Sequence, residues 1–468
     1  MNVWGSFRDP SGRVEVRPDL VVRRFSDPEA ESATRAFYAS PAGRTFVESG
    51  RLVGIIDPEC LAADDPLRTE SPMPMLHPRI AFPSYPYEWS ASMLHSAAVL
   101  TIDLATAALD AGFELKDASA FNVLFDGPSP VFVDAASFER RTSGRWIWSP
   151  LAQFEKTFLL PLIAHREFGD DPHRLFLADA TGLSPEVLAS RVRGMGRLSP
   201  MLIRHALLPR FLGRIASRKK DVYATGSKPM PEAQAQFVLR SMFGRLKREL
   251  AALSPRPPAR GSAWSGYSDD RPYDVEAFAQ KEGFVSSVLA RCRPKHALDI
   301  GCNDGHFGRM AAAAGAHVLA FDFDAQVIDS LWKASLRDKL ALLPLVVDLA
   351  RPSPREGWRN RERPGFLDRI QGRFDLALFL ACFHHLLVTE RIPLAELVEF
   401  LASLGCRDVV FEYVAVQDPM FQILLRGRGA LFDWLTQDVV ERMLETRFRI
   451  LQRHAVNATR TLYALERR

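Results

Sequence analysis

The residues best placed to do chemistry lie in the second half of the chain. Ala297-Leu298-Asp299-Ile300-Gly301-Cys302-Asn303-Asp304-Gly305 runs from a short apolar stretch into a glycine-bearing turn. Such a turn lets a bulky nucleoside lie across the carboxyl ends of parallel strands, where the strand order reverses. Gly301 and Gly305 remove side chains where backbone and ligand approach closely, and Asp304 is expected to cap the next helix. Asp322 follows Gly301 by 21 residues, at the end of the next strand, where an acid accepts hydrogen bonds from ribose hydroxyls. Phe323 beside it can pack on an adenine, and Asp348 ends a third strand, where a carboxylate can accept from the adenine amino group. A glycine turn alone need be no more than a tight connection. Three acids at three successive strand ends, in this order, are much harder to reach by chance.

A fourth strand ends in Ala381-Cys382-Phe383-His384-His385. A neutral imidazole there can take a proton from a substrate hydroxyl, so His384 and His385 are the catalytic candidates. The competing expectation is that one packs in the core and the other caps a helix. Glu412, in a fifth strand, is a further candidate.

A second constellation lies in the first half. Asp117-Ala118-Ser119-Ala120-Phe121-Asn122 has D-x-x-x-x-N spacing, and Asp134 follows in Val131-Phe132-Val133-Asp134-Ala135-Ala136. This resembles the catalytic and metal-binding segments of protein-kinase-like folds. The resemblance implies that Asp117 meets an acceptor hydroxyl, while Asn122 and Asp134 hold magnesium on ATP phosphates. Leu115 and Lys116 replace the family's His-Arg, and Ala135-Ala136 its Phe-Gly. No glycine-rich lid surrounds Gly5 or Gly12, and Arg23 or Arg24 is nearest to the missing strand lysine. The expectation is a degenerate domain that has lost phosphotransfer.

These residues need a frame. In residues 273–468 strands alternate with helices. Strands are expected at His296–Ile300, His317–Phe321, Leu340–Val347, Phe374–Ala381 and Asp408–Val414, with helices at Asp274–Arg293, 305–315, Ala325–Arg337 and Pro393–Leu404. A closing hairpin, Arg449–Val456 and Arg460–Leu465, turns at Asn457-Ala458. The expected fold is α/β, a doubly wound Rossmann-like sheet. Proline, glycine and serine crowd 253–272, which reads as a linker. Before it, residues 1–252 read as an α+β domain with a helical extension. Hairpins are expected at Arg13–Val16 with Leu20–Arg24 and at Phe121–Phe125 with Val131–Val133, and helices over Glu29–Glu48, 90–111, 150–167 and most of 171–252.

Bulk properties narrow the function classes. A net charge of +4 on 468 residues argues against a nucleic-acid partner. The basic runs Arg214–Lys220 and Arg240–Arg248 read as solvated helix sides. Five scattered cysteines form no CxxC pair, which speaks against zinc or disulfides and fits a reducing cytoplasm. The first residues lack the pattern of a signal peptide. The apolar stretch Ser90–Ala111 carries His95, Asp103 and Asp110, so it is expected to be a core helix, with no transmembrane segment.

The set Asp299, Gly301, Asn303, Gly305, Asp322, Phe323 and Asp348 resembles the class I methyltransferase family, whose first motif is D-x-G-x-G-x-G. Asn303 stands where that motif has its middle glycine. The incomplete GxGxxG argues against a dinucleotide site. Longer segments, among them HPRIAFPSYPYEWS (77–90), LKDASAFNVLF (115–125) and DIGCNDGHF (299–307), resemble a bacterial group of class I methyltransferases that includes nodulation proteins of the NoeA type. The resemblance implies S-adenosylmethionine as cofactor and a glycan or small molecule as acceptor. A bifunctional kinase-methyltransferase and a pseudokinase-containing binding or scaffold protein are the alternatives.

Overall fold

A computed structural model describes residues 8–192, 199–211, 229–256 and 275–468. Most of the expected linker and the basic run 214–220 lie outside the described residues. The chain divides into two compact units, Met1–Pro257 with Arg355–Arg363, and Pro258–Pro354 with Pro364–Arg468.

The first unit mixes small antiparallel sheets with helices. Strands β1 (Gly12–Val16), β2 (Leu20–Phe25) and β3 (Met75–Pro78) form one sheet in that order. β4 (Phe113–Leu115) pairs with β7 (Phe138–Arg140), and β5 (Val123–Asp126) with β6 (Ser129–Phe132). The helix expected over Glu29–Glu48 is two helices, Pro28–Ala39 and Pro41–Glu48. Pro41 has no amide to continue the first, and Ser40 caps the second by accepting from the Gly43 amide at 3.1 Å. Helix Ala91–Asp110 is long and apolar enough to span a membrane by length and composition, yet most of it is buried within the protein. Helix Glu232–Ala252 packs along it. The basic run on that helix makes ion pairs, Arg240–Asp110 and Lys247–Asp103, as a solvated helix side does.

The second unit is built on seven strands: β8 (His296–Ile300), β9 (His317–Asp322), β10 (Leu342–Val346), β11 (Leu376–Phe379), β12 (Asp408–Val414), β13 (Phe448–Asn457) and β14 (Arg460–Arg467). Their order is β10-β9-β8-β11-β12-β14-β13. The first five are parallel, and β14 runs antiparallel to both β12 and β13. The order reverses at β8, so β8 and β11 flank the switch point of a doubly wound sheet. Both faces are covered, which explains the continuous apolar runs of the parallel strands. One face packs on helix Val275–Cys292, whose Lys281, Phe284, Val285, Val288 and Leu289 are buried at helical spacing.

Candidate functional site

The turn after β8 is set by three left-handed residues, Gly301 (φ 67°), Asn303 (φ 48°) and Gly305 (φ 72°). Asparagine tolerates this conformation better than most residues, which suits its place in the motif. A Cβ at Gly301 would lie 2.9 Å from Cys382 Sγ, and one at Gly305 2.5 Å from the Leu331 methyls. The glycines therefore admit close neighbours. Gly305 is the N-cap of helix His306–Ala313, while Asp304 accepts from the His306 amide at 3.1 Å. The expected capping contact is thus made from one residue earlier than the cap position.

The three strand-end acids meet different environments. Asp299 is 4% exposed, and its Oδ2 has no hydrogen-bond partner among the described residues. Burial pushes its carboxyl up to about 7, against the Gly308 amide and with the charges of Asp304 and Asp322 adding to the shift. Gly308 has to be small, because a Cβ there would stand 2.7 Å from Asp299 Oδ2. Asp322 accepts from the Asn303 amide at 3.1 Å and the Asp324 amide at 3.0 Å, so it ties the first turn to the second. Burial raises its carboxyl and those amides pull it back. Phe323 is 54% exposed beside it. Asp348 lies two residues past β10, accepts from the Ala350 amide at 2.9 Å and pairs with Arg351 at 2.9 Å. The register sets Ile300 beside Phe321 and Asp322 beside Val346, so the three acid-bearing strand ends are neighbours.

Past β11, Ala381 is left-handed (φ 49°) and helix Phe383–Val388 begins, so the two histidines sit on a helix's first turn. His384 is buried, stacks on Phe421 with centroids 5.5 Å apart, and its Nδ1 has no partner among the described residues. His385 is half-buried. Burial holds His384 well below its ordinary value and His385 down to about 4, with the Arg460 charge adding to both, so both rings are neutral. Glu412 is fully buried. Its carboxylate meets Lys281 Nζ at 2.6 Å and Arg460 Nη1 at 3.5 Å, while Arg460 also grips Asp418 at 2.8 Å. That makes Glu412 part of a buried ion network.

In the first unit, β5, β6 and the turns beside them bring Asp117, Asn122 and Asp134 together. Burial raises the Asp117 carboxyl, the Ser119 amide opposes this, and the Asp134 charge adds to the rise. Arg23 Nη1 meets Asp134 Oδ1 at 3.2 Å, and Ser137 Oγ donates to Asp134 Oδ2 at 2.5 Å. Neighbouring strand residues face opposite sides. Arg24 accordingly points the other way and pairs with Glu70 and Glu15. No glycine enters the turn between β1 and β2.

No family model matches the chain. It is 30% identical over 469 residues to the nodulation protein NoeA of Rhizobium meliloti (strain 1021), across 99% of this chain and 96% of that protein. The chain belongs to the NoeA family. Solved structures similar to this NoeA-family chain include the bifunctional kinase-methyltransferase WbdD, 18% identical over 43% of this chain and 41% of that one, with a TM-score of 0.32. They also include the N-methyltransferase NodS of Bradyrhizobium japonicum WM9, at 13%, 42%, 98% and 0.30 in the same order. The magnesium protoporphyrin IX methyltransferase ChlM of Synechocystis PCC 6803 with bound SAH gives 16%, 41%, 84% and 0.29.

Several residues of this NoeA-family chain escaped the sequence. Lys281 sits mid-helix and Arg460 opens β14, 179 positions apart, and only folding joins them on Glu412. Lys116 was visible as a departure from His-Arg, but its bond to Ser11 Oγ at 3.0 Å was not.

Proposed function

We propose that this protein is an S-adenosylmethionine-dependent methyltransferase that methylates an oxygen of a glycan or small molecule. The observation that carries the reading is the row of Asp299, Asp322 and Asp348 at three adjacent strand ends, beside a turn made tight by Gly301, Asn303 and Gly305. The residues fit the cofactor. Both Asp322 oxygens accept backbone amides, and the carboxylate stands at the strand end where a ribose hydroxyl would lie. Phe323, 54% exposed, is placed to pack on the adenine, and Asp348 to accept from its amino group. Asp299 stiffens the turn from below.

S-adenosylmethionine, when bound, supplies an electrophilic methyl group on a sulfonium centre. The protein's own part is alignment, since such a leaving group needs little activation. His385 is the more accessible of the two neutral imidazoles and is the group we assign to receive the acceptor's hydroxyl proton. His384 packs beneath it and orients it. Isothermal titration with S-adenosylmethionine tests the reading first. Transfer of labelled methyl to a bacterial glycan fraction tests the acceptor. No heat of binding and no label would remove the proposal.

A second reading concerns residues 1–252. We infer a degenerate kinase-like domain that recognises substrate. Asp117, Asn122 and Asp134 favour a nucleotide site, but Arg23 and Ser137 engage both Asp134 oxygens that magnesium would need.

A further inference from the structure

Beyond β12 lies a cavity of about 300 Å³, formed by the β12–β14 pair, the loop after β12, the segment 432–437 and the hairpin turn. Tyr413 and Thr461 are cross-strand partners there, on the face opposite Glu412 and Arg460. Its lining combines hydroxyls and amides with an apolar wall that includes Phe432 and Leu435. Some polar groups already serve the fold. Thr436 caps helix Gln437–Glu445, and Thr459 donates to Asp418 at 3.0 Å. Others do not. Thr461, Gln417 and Asp433 make no side-chain hydrogen bond to protein among the described residues, and all three line the cavity. No lysine, arginine or histidine lines it, and Asp433 carries its one formal charge.

From this cavity we infer the acceptor's chemical class: a hydroxyl-rich ring without negative charge, such as a sugar residue. The inference rests on the methyltransferase reading, because the cavity matters as an acceptor site only if methyl transfer occurs. Three considerations carry it. A phosphate or carboxylate would meet the like charge of Asp433, with no cation in the lining to balance it. A lining that mixes donors and acceptors with aromatic rings can meet both a sugar's hydroxyls and its C–H face. The volume sits at the small end of ligand pockets, which suits one ring. None of the candidate site residues lines the cavity, but two ring contacts link its wall to one of them. Phe432 packs edge-on against Phe421 at 6.4 Å, and Phe421 stacks on His384 at 5.5 Å.

The test uses the full chain and three probes: methyl glucoside, glucosamine and glucose 6-phosphate, followed by saturation-transfer NMR, with S-adenosylmethionine affinity measured alongside. We expect the neutral glycoside and glucosamine to bind and the phosphate not to. Thr461→Val, which removes a hydroxyl at nearly constant volume, should weaken glycoside binding roughly three- to tenfold. The exposed Asp433→Ala, which does not disturb packing, should weaken it by a similar factor. Both should keep wild-type cofactor affinity. Preference for the phosphate, absence of any sugar binding, or indifference to both substitutions would overturn the inference. Cofactor binding without sugar binding removes this inference alone. Sugar binding without cofactor binding removes the methyltransferase reading and leaves the ligand class of the cavity standing.

Discussion

Lys281 Nζ and Glu412 Oε2 lie 2.6 Å apart with both side chains buried, joining the helix before β8 to the fifth parallel strand. Burial drives the lysine's pKa down, and the Glu412 carboxylate pulls it back. Breaking such a pair leaves one charge stranded, at a cost of about 3–5 kcal/mol, whereas replacing both by apolar groups can be nearly neutral. Glu412→Ala should therefore lower the thermal midpoint of the second unit strongly. Lys281→Met with Glu412→Leu should recover much of the loss, less whatever Arg460 forfeits. Equal destabilisation by the single and double variants would show that the pair is not the linchpin.

His205 makes a prediction about pH. Burial opposes its charge, but Glu155 at 3.1 Å and Glu249 at 3.2 Å outweigh burial and raise it to about 9. A folded value above the unfolded one, about 6.5, stabilises the charged form. That stability is fully present below about 6.5, shrinks as pH rises, and is gone once pH has passed about 9. The melting-temperature advantage of the wild type over His205→Gln should be largest at pH 6 and vanish by pH 10. A constant difference across that range would contradict the assignment.

The histidine pair should divide by role. His385→Ala should lower methyl transfer by about 10²–10⁴-fold, the range of a general base, without changing cofactor affinity. His384→Ala should show mainly as reduced stability, because its ring is stacked and buried. Full turnover by His385→Ala would show that the acceptor needs no imidazole.

Phosphotransfer by residues 1–252 is expected to be absent. Incubation with labelled ATP, magnesium and cell extract should leave no label above background. Label that disappears in both Asp117→Ala and Asp134→Ala would make the protein bifunctional.

The second unit was legible because its signals are local. Apolar runs of strand length, a glycine turn and acids at strand ends all occur within a few residues of what they specify, and Asp322 falls where the reading puts it. Helices Pro419–Leu425 and Gln437–Glu445 were missed, since they are short and lie in a connection with weak periodicity. Strand β3 was missed because its partner β2 is some fifty residues away and nothing in Met75–Pro78 announces the pairing. The expected strand Phe374–Ala381 shrinks to Leu376–Phe379, and the left-handed Ala381 turns the chain out of the ladder before helix Phe383–Val388. The hardest features were buried charges. Lys281 or Arg460 in isolation looks like any surface cation, and only tertiary pairing reveals that each is inside.

Calorimetric titration of S-adenosylmethionine into the wild type and into Asp322→Ala tests the central claim most directly. A buried charge-assisted hydrogen bond contributes about 1.5–3 kcal/mol, or roughly ten- to a hundredfold in affinity. The wild type should bind at one site, and the variant should bind more weakly by that factor while keeping its circular dichroism spectrum. No binding by the wild type, or equal affinity in a folded Asp322→Ala, would contradict the account.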